Sequence, residues 1–488
     1  MSDPELYGLI VLLVAAAGLV GVLSNRVTQR LKVPTPAVLL IAAAVAVKVV
    51  PPLQAPPHQT VERLVTIALV LILFDGGSHI GWSRFRGAVA PITVVGVLGT
   101  FLTAAGAALL VHFGFQLEWY AALLVATAVA PTDPAVVFSV LGQREVSGRS
   151  GTILEGESGA NDPVGIALML SLIAAGGLTG GAAGDVGVTF VVQMAVGGVV
   201  GLVGGKALLW FMRRVPLPSE GLYPLRTLGC VLLLFGAATV AHGSGFLAVF
   251  VAGVLAGDER APYKREVERF HAALASLGEL VAFIVLGLTV DLATVSRTDV
   301  WIPGLVLGVV LALVIRPVAV GLCLLPTRLA RNERAFVLLA GLKGAVPILL
   351  GSFLLDAHLG DAGRLYGIVV VVVVFSVLVQ GGLVPALTTW LGLPMRSVEP
   401  EPWALGVRLR EEPAGARRFR VARESSADGR TIAEITDLPG DVWVSFAIRD
   451  QELLPVNGDT RLQAGDEVLV LADPDLHGQL RKTFEHSA

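Results

Sequence analysis

Long apolar runs alternate with short polar joints along the chain as far as residue 391. A helix needs about 20 mostly apolar residues to cross a bilayer. By that measure the pattern predicts thirteen membrane-spanning helices, at roughly 5–23, 35–52, 62–80, 88–111, 119–141, 151–176, 186–210, 222–241, 244–257, 271–291, 300–325, 334–356 and 364–391. Lys and Arg collect in every second joint: Arg26, Arg30 and Lys32; Arg84 and Arg86; Arg144 and Arg149; Arg213 and Arg214; Arg260, Lys264, Arg265 and Arg269; Arg328, Arg331 and Arg334. The joints between are nearly bare, Arg297 being the exception. Cytoplasmic loops hold such basic residues, so the N-terminus is expected outside and everything after residue 391 in the cytoplasm. From 397 the pattern changes. FRVAR (419–423), DVWVSFAIRD (441–450) and DEVLVLAD (466–473) alternate like strands, and TIAEI (431–435) and PDLHGQLRKTF (474–484) read as short helices. The expected architecture is a polytopic all-α membrane domain over 1–396, a linker over 397–415 and a small α+β cytoplasmic domain over 416–488.

Composition agrees with a membrane protein. Hydrophobic residues make up 54% of the 488 and charged residues only 15%, against about 25% charged in soluble domains. The net charge of −3 says nothing about partners, because the charges are segregated. Cys230 and Cys323 both lie in apolar runs, which gives neither a disulfide framework nor a metal-site spacing. The first apolar run follows MSDPELY, without a basic flank or a small-residue cleavage site, and reads as a retained helix.

A few polar residues stand at membrane depth, where they are costly and by default functional. LEGESGANDPVG (154–165) runs straight into IALMLSLIAA. If that helix begins near 151 on the cytoplasmic side, Asp162 lies roughly 17 Å into a core about 30 Å thick. Ser158 shares its face, with Glu155 a turn further out; Asn161 lies beside it, on a stripe with Glu157. In the fifth run Pro131 and Pro134 bracket Thr132 and Asp133, and in the twelfth GLKGAVP (341–347) surrounds Lys343. Proline removes a backbone donor and glycine loosens the helix, so two interrupted helices are expected near mid-depth. They occupy matching places if helices 1–6 and 8–13 are inverted repeats, the best sequence pointer to a secondary transporter's site. Arg316 needs a buried partner, for which Glu157 is the natural choice. Asp133 could serve only to neutralise helix ends, with Lys343 as its counter-charge. Asp75 stands nearer the cytoplasmic mouth, where it could line an entry funnel. His79 and His242 sit at helix ends and receive no role.

A carboxylate away from water readily holds a proton, and a dehydrated monovalent cation can take the proton's place. Hard cations want oxygen ligands. Asp162, Ser158, Thr132 and freed backbone carbonyls would supply them. With Asn161 in place of a second acid, one proton per cation is the simplest stoichiometry, and the cycle is electroneutral.

ILEGESGANDP resembles the Asn-Asp signature of the monovalent cation:proton antiporter-1 family, and APTDPAVVFSVL its unwound-helix motif. GSGFLAVFVAGVLAGD (243–258), FHAALASLGELVAFIVLGLTV (270–290) and GLKGAVPILL (341–350) are similar to the NhaP-type potassium/proton antiporters. GRTIAEI…ELLPVNGDTRLQAGDEVLVL resembles the TrkA-C domain, the C-terminal domain of regulators of K⁺ conductance. The resemblance implies a homodimer in the cell (inner) membrane with an interface domain and a core domain that moves as an elevator. It implies that Asp162 carries the exchange of K⁺ or Na⁺ for H⁺, surrounded by Asn161, Thr132, Asp133 and Ser158, and that Glu157 pairs with Arg316. It also implies a nucleotide such as cyclic di-AMP as a ligand of the tail, and no cofactor. The chain departs from many relatives in carrying Lys343 for Arg and Asp75 for Glu. The rival readings are a K⁺ channel gated by its tail, which lacks any TVGYG-like filter, and an intramembrane enzyme, for which there is no HExxH or serine-nucleophile pattern. No P-loop is present, and nothing suggests nucleic-acid binding.

Overall fold

The structure is a computed structural model that describes residues 19, 34–49, 56–134, 137, 141, 144–146, 149–177, 181–259, 261–357, 359–393, 395–397, 416–435, 442–449 and 452–485. All but Leu19 of the first predicted run lies outside these residues, as does 398–415 of the predicted linker. The chain divides into two compact units, Met1–Glu399 and Pro400–Ala488.

The first unit is built from helices. They are α1 (Thr35–Val49), α2 (His58–Thr93), α3 (Thr100–Leu109), α4 (Trp119–Val129), α5 (Arg149–Ala175), α6 (Ala182–Arg214), α7 (Leu222–Val240), α8 (Gly245–Gly257), α9 (Lys264–Leu288), α10 (Thr298–Val310), α11 (Arg316–Cys323), α12 (Arg331–Leu339), α13 (Ala345–Asp356), α14 (Ala362–Phe375) and α15 (Gly381–Trp390). Among the described residues, seven helical stretches are long and apolar enough to cross a membrane, and four shorter apolar helices accompany them. Residues 58–114 make one such stretch, where the sequence pattern predicts two helices and a joint at 81–87. The joint shrinks to Gly81, whose φ of 67° and ψ of 160° leave the helix for a single residue. Only glycine adopts that backbone at no steric cost.

Helices pack closely where glycines face backbone. A Cβ at Gly253 of α8 would overlap the Phe74 carbonyl of α2, and one at Gly77 of α2 would lie 2.6 Å from the Phe250 carbonyl of α8. Without a hydrophobic force between helices in lipid, such small-residue contacts drive their association. Widened π turns over Leu311–Ile315 and Ser376–Gln380 lead into α11 and α15. A short antiparallel ladder of β1 (Arg144–Val146) and β2 (Met395–Ser397), with Arg144 opposite Ser397, joins segments far apart in sequence. It includes the first residue of the predicted linker.

The second unit is a four-stranded antiparallel sheet with a helix. Its strands are β3 (Ala416–Arg420), β4 (Trp443–Arg449), β5 (Glu452–Leu454) and β6 (Glu467–Leu471), in the order β3-β6-β4-β5. The helix, α16 (His477–Glu485), packs Leu480 and Phe484 against Phe419, Val444, Val468 and Val470. The first strand therefore starts three residues before the predicted 419, and its register places Phe419 opposite Val468. TIAEI forms a single 3₁₀ turn, Ile432–Glu434, closed by a capping box with Thr431. Hydrogen bonding from the Thr431 backbone and hydroxyl holds the Glu434 carboxyl below its usual range. Asp466, 1% exposed, accepts both prongs of the Arg449 guanidinium at 2.8 and 2.7 Å.

Candidate functional site

Two broken helices meet. α4 stops at Val129, and Ala130–Pro134 run outside the helix. α12 stops at Leu339, and the chain re-enters helix at Ala345. The Asp133 N–H donates to the Leu342 carbonyl at 2.8 Å, so each break binds the other. The Lys343 ammonium donates to the carbonyls of Ala130 and Pro131 at 2.9 and 3.0 Å. Those carbonyls belong to the end of α4, where the helix dipole is negative and backbone acceptors lack helical partners. Asp133 stands at the opposite kind of end. Its carboxylate lies so close to Gly344, the N-terminal cap of α13, that a Cβ there would overlap it. Each half-helix end thus faces a charge of complementary sign, and Lys343 serves carbonyls where the sequence suggested Asp133 as its partner. Behind the break, the Lys343 N–H donates to the Ser376 hydroxyl at 3.0 Å and the Gln380 amide donates to the Leu339 carbonyl at 2.8 Å.

α5 supplies the other half of the site. Glu157, Ser158, Asn161 and Asp162 are 2%, 7%, 2% and 6% exposed. Arg316 grips Glu157 with two hydrogen bonds, at 2.6 and 3.1 Å, and gives a third to the Val337 carbonyl at 3.2 Å. The guanidinium lies on Gly341, where a Cβ would overlap it. Thr132 donates to the same Glu157 carboxylate at 3.4 Å, and Asn161 donates through Nδ2 to the Thr132 hydroxyl at 2.8 Å. This relay fixes the Asn161 amide, because its donor end is taken by Thr132. Its Oδ1 is left over, buried and without a hydrogen-bond partner. Asp162 hydrogen-bonds the Ser158 hydroxyl, and its Oδ1 is likewise buried without a partner. Pro163 removes the N–H that would have bonded the Gly159 carbonyl one turn earlier. Two unsatisfied side-chain oxygens on neighbouring residues, Asn161 Oδ1 and Asp162 Oδ1, thus lie on one buried helix beside the breaks.

The structure brings Thr132, Glu157, Asn161 and Arg316 into one hydrogen-bonded chain, and joins Asp133 and Lys343 to it through the breaks. Asp75 stands apart. Its carboxylate lies 3.3 Å from His79 Nδ1, and no hydrogen bond among the described residues joins it to the group at Asp162. His79, given no role by the sequence, is thus the partner of Asp75. Glu155 lies 3.9 Å from Arg84. Sequence reasoning passed over Glu279 of α9, an acid inside the apolar run LGELVAF, although an acid within an apolar run is itself the signal. Its Oε1 is buried without a hydrogen-bond partner, and Asp133 acts on it electrostatically. Among the described residues no three His, Cys, Asp or Glu side chains converge to hold a metal ion.

Comparison with known proteins follows the same division of the chain. The sodium/hydrogen exchanger transmembrane profile matches residues 12–390, and the TrkA-C domain profile matches 416–485. The chain is 31% identical to the K⁺/H⁺ antiporter NhaP of Alkalimonas amylolytica, over 96% of this chain and 82% of the relative. It is 31% identical to the K⁺/H⁺ antiporter NhaP2 of Shewanella sp. strain MR-4, over 93% and 79%. The solved structure of the sodium proton antiporter MjNhaP1 from Methanocaldococcus jannaschii at pH 8 shares the fold, with a TM-score of 0.65 at 21% identity, over 78% of this chain and all of that one.

Proposed function

Because the chain belongs to the sodium/hydrogen exchanger family, we propose that it is an electroneutral secondary antiporter exchanging K⁺ for H⁺ across the cell membrane, with Asp162 as the exchanging carboxylate. The observation that carries this is the pair of buried, unpartnered oxygens, Asp162 Oδ1 and Asn161 Oδ1, beside two broken helices. A proton on Asp162 satisfies the site in one state. A dehydrated cation held by Asp162, Asn161, Ser158 and backbone oxygens satisfies it in the other. One carboxylate cannot hold both, so binding of one expels the other. Glu157 adds no second exchangeable charge, because Arg316 neutralises it. Thr132 sets the Asn161 amide, and Asp133 and Lys343 hold the half-helix ends in place. The names of the relatives matched over most of the chain favour K⁺ over Na⁺.

The rest of the reading is a thirteen-helix protomer with inverted repeats, its N-terminus outside and residues 416–488 in the cytoplasm. Two protomers associate, and the core holding Asp162 moves as an elevator against the dimer interface. Asp75 lines the cytoplasmic entry. The tail regulates transport by binding a small ligand, with cyclic di-AMP the first to try.

Purified protein in vesicles tests this. An imposed pH gradient is expected to be dissipated by K⁺ and Rb⁺, and more weakly by Na⁺ and Li⁺, without electrical current. K⁺ current at symmetric pH would support the tail-gated channel instead, and exchange with Na⁺ alone would overturn the K⁺ assignment.

A further inference from the structure

α9 carries one buried stripe, made of His271, Ala275, Ala282, Phe283 and Leu286. Glu279 sits in the middle of it, eight and four residues after the first two and three, four and seven before the others. It lies 15 residues from the Lys264 end, about 22 Å along the helix. The side chain as a whole is half-buried, and its Oε1 is enclosed without a hydrogen-bond partner. No ion pair to it occurs among the described residues. α1, α2, α7 and α13 pack against α9, and Asp133, at the α4 break, acts on Glu279 electrostatically. Asp75 on α2 acts on His271, two turns away. Glu62 and Arg63 stand near the start of α2, five to six residues before Ala68, against which Gly278 packs. Lys48, at the end of α1, acts on Asp291. Arg226 on α7 is held by the carbonyls of Phe211 and Val215.

An acid enclosed without a counter-charge is tolerated as a neutral carboxyl and costly as a carboxylate. Glu279 stands within electrostatic reach of the break whose Thr132 holds the Asn161 amide, beside Asp162. We propose that Glu279 is a proton waypoint of the exchange path: it takes the proton released from Asp162 when a cation binds, through intervening water, and passes it on to bulk water. In the reverse stroke it loads Asp162. The waypoint returns to its starting state in each cycle, so one proton per cation is preserved. This inference rests on Asp162 being the exchanging carboxylate.

The test compares Glu279→Gln and Glu279→Asp with the unaltered protein in vesicles, reading exchange rate across pH together with equilibrium Rb⁺ binding. Rb⁺ binding reports on Asp162 without requiring turnover. Glu279→Gln is expected to bind Rb⁺ as before but to exchange about tenfold more slowly or worse, falling most steeply at alkaline pH where protons are scarce. Glu279→Asp is expected to recover part of the rate and the original pH profile. An unchanged rate and profile in Glu279→Gln would overturn the proposal. If Glu279→Gln fails to fold, Glu279→Leu, which also lacks a proton site, is read in its place, and an unchanged rate per molecule and pH profile there would equally overturn the proposal. Rb⁺ binding that survives Asp162→Asn would instead overturn the exchange-site reading, a separate failure.

Discussion

Arg316, Glu157, Thr132 and Asn161 pass one hydrogen-bonded chain from a buried cation to the amide beside Asp162. Removing one member of the Arg316–Glu157 pair strands the other charge, which typically costs about 3–5 kcal/mol. Glu157→Ala and Arg316→Ala are each expected to melt early in detergent thermal-shift measurements, and the double variant to lose clearly less than the sum. Additive losses would show that the two do not act as a pair. Gly341→Ala is expected to lower the melting temperature too, because the new methyl group would occupy the space of the guanidinium. At this scale the sequence was informative where cost is visible: a lone arginine in an apolar run demands a buried partner, and Glu157 was the natural choice. It did not show the Thr132–Glu157 bond, which joins residues 25 apart through a break whose direction no periodicity encodes. Glu279 was legible by the same rule, as an acid inside the apolar run LGELVAF, but that its Oε1 is enclosed without a hydrogen-bond partner was not.

The two breaks were legible because proline and glycine disfavour helix by known chemistry, at Pro131 and Pro134 on one side and Gly341 and Gly344 on the other. That they bind each other, through Asp133 N–H and Lys343, depends on tertiary approach and was not. The single-residue kink at Gly81 reads in sequence as a loop, since a polar stretch looks the same whether it is seven residues or one. The β1–β2 ladder pairs three residues with three about 250 positions away, too short for any alternation to show. In the tail, the strand Glu452–Leu454 escaped notice for the same reason. Asp466→Ala in the full-length protein is expected to destabilise the tail by about 1–3 kcal/mol, since the half-buried Arg449 loses its bidentate partner. Limited proteolysis would read this as cleavage within 416–485 at lower temperature. Glu434 adds a pH dependence of known sign. Its carboxyl is held low in the folded state, so its stabilising effect is present above about pH 4.3 and lost as pH falls below that. Glu434→Gln should flatten the acid limb of tail stability between pH 5 and 3, and an unchanged limb would show that the cap contributes nothing.

At the scale of the whole molecule, an exchanger unit and a TrkA-C domain share one chain. A ligand on the tail alters transport only if it binds one conformation better than another, and association of protomers would bring two tails together at high effective concentration. Truncation after Arg396 is therefore expected to leave an active exchanger with an altered pH profile or a lost response to cyclic di-AMP. Identical pH profiles and no nucleotide effect on the full-length protein would reduce the tail to an aid to assembly. Electroneutrality belongs to this scale as well. A membrane potential at matched pH and ion concentrations should drive no net transport, and if it does, a second exchanging acid exists, with Asp133 and Glu279 the first to test. All of this depends on one carboxylate. The most direct measurement is K⁺-driven proton movement by Asp162→Asn in vesicles, beside the unaltered protein at equal incorporation. Asparagine can neither release a proton nor neutralise a cation, so the account predicts a folded protein with no exchange above empty vesicles. Measurable K⁺/H⁺ exchange by that variant would contradict it.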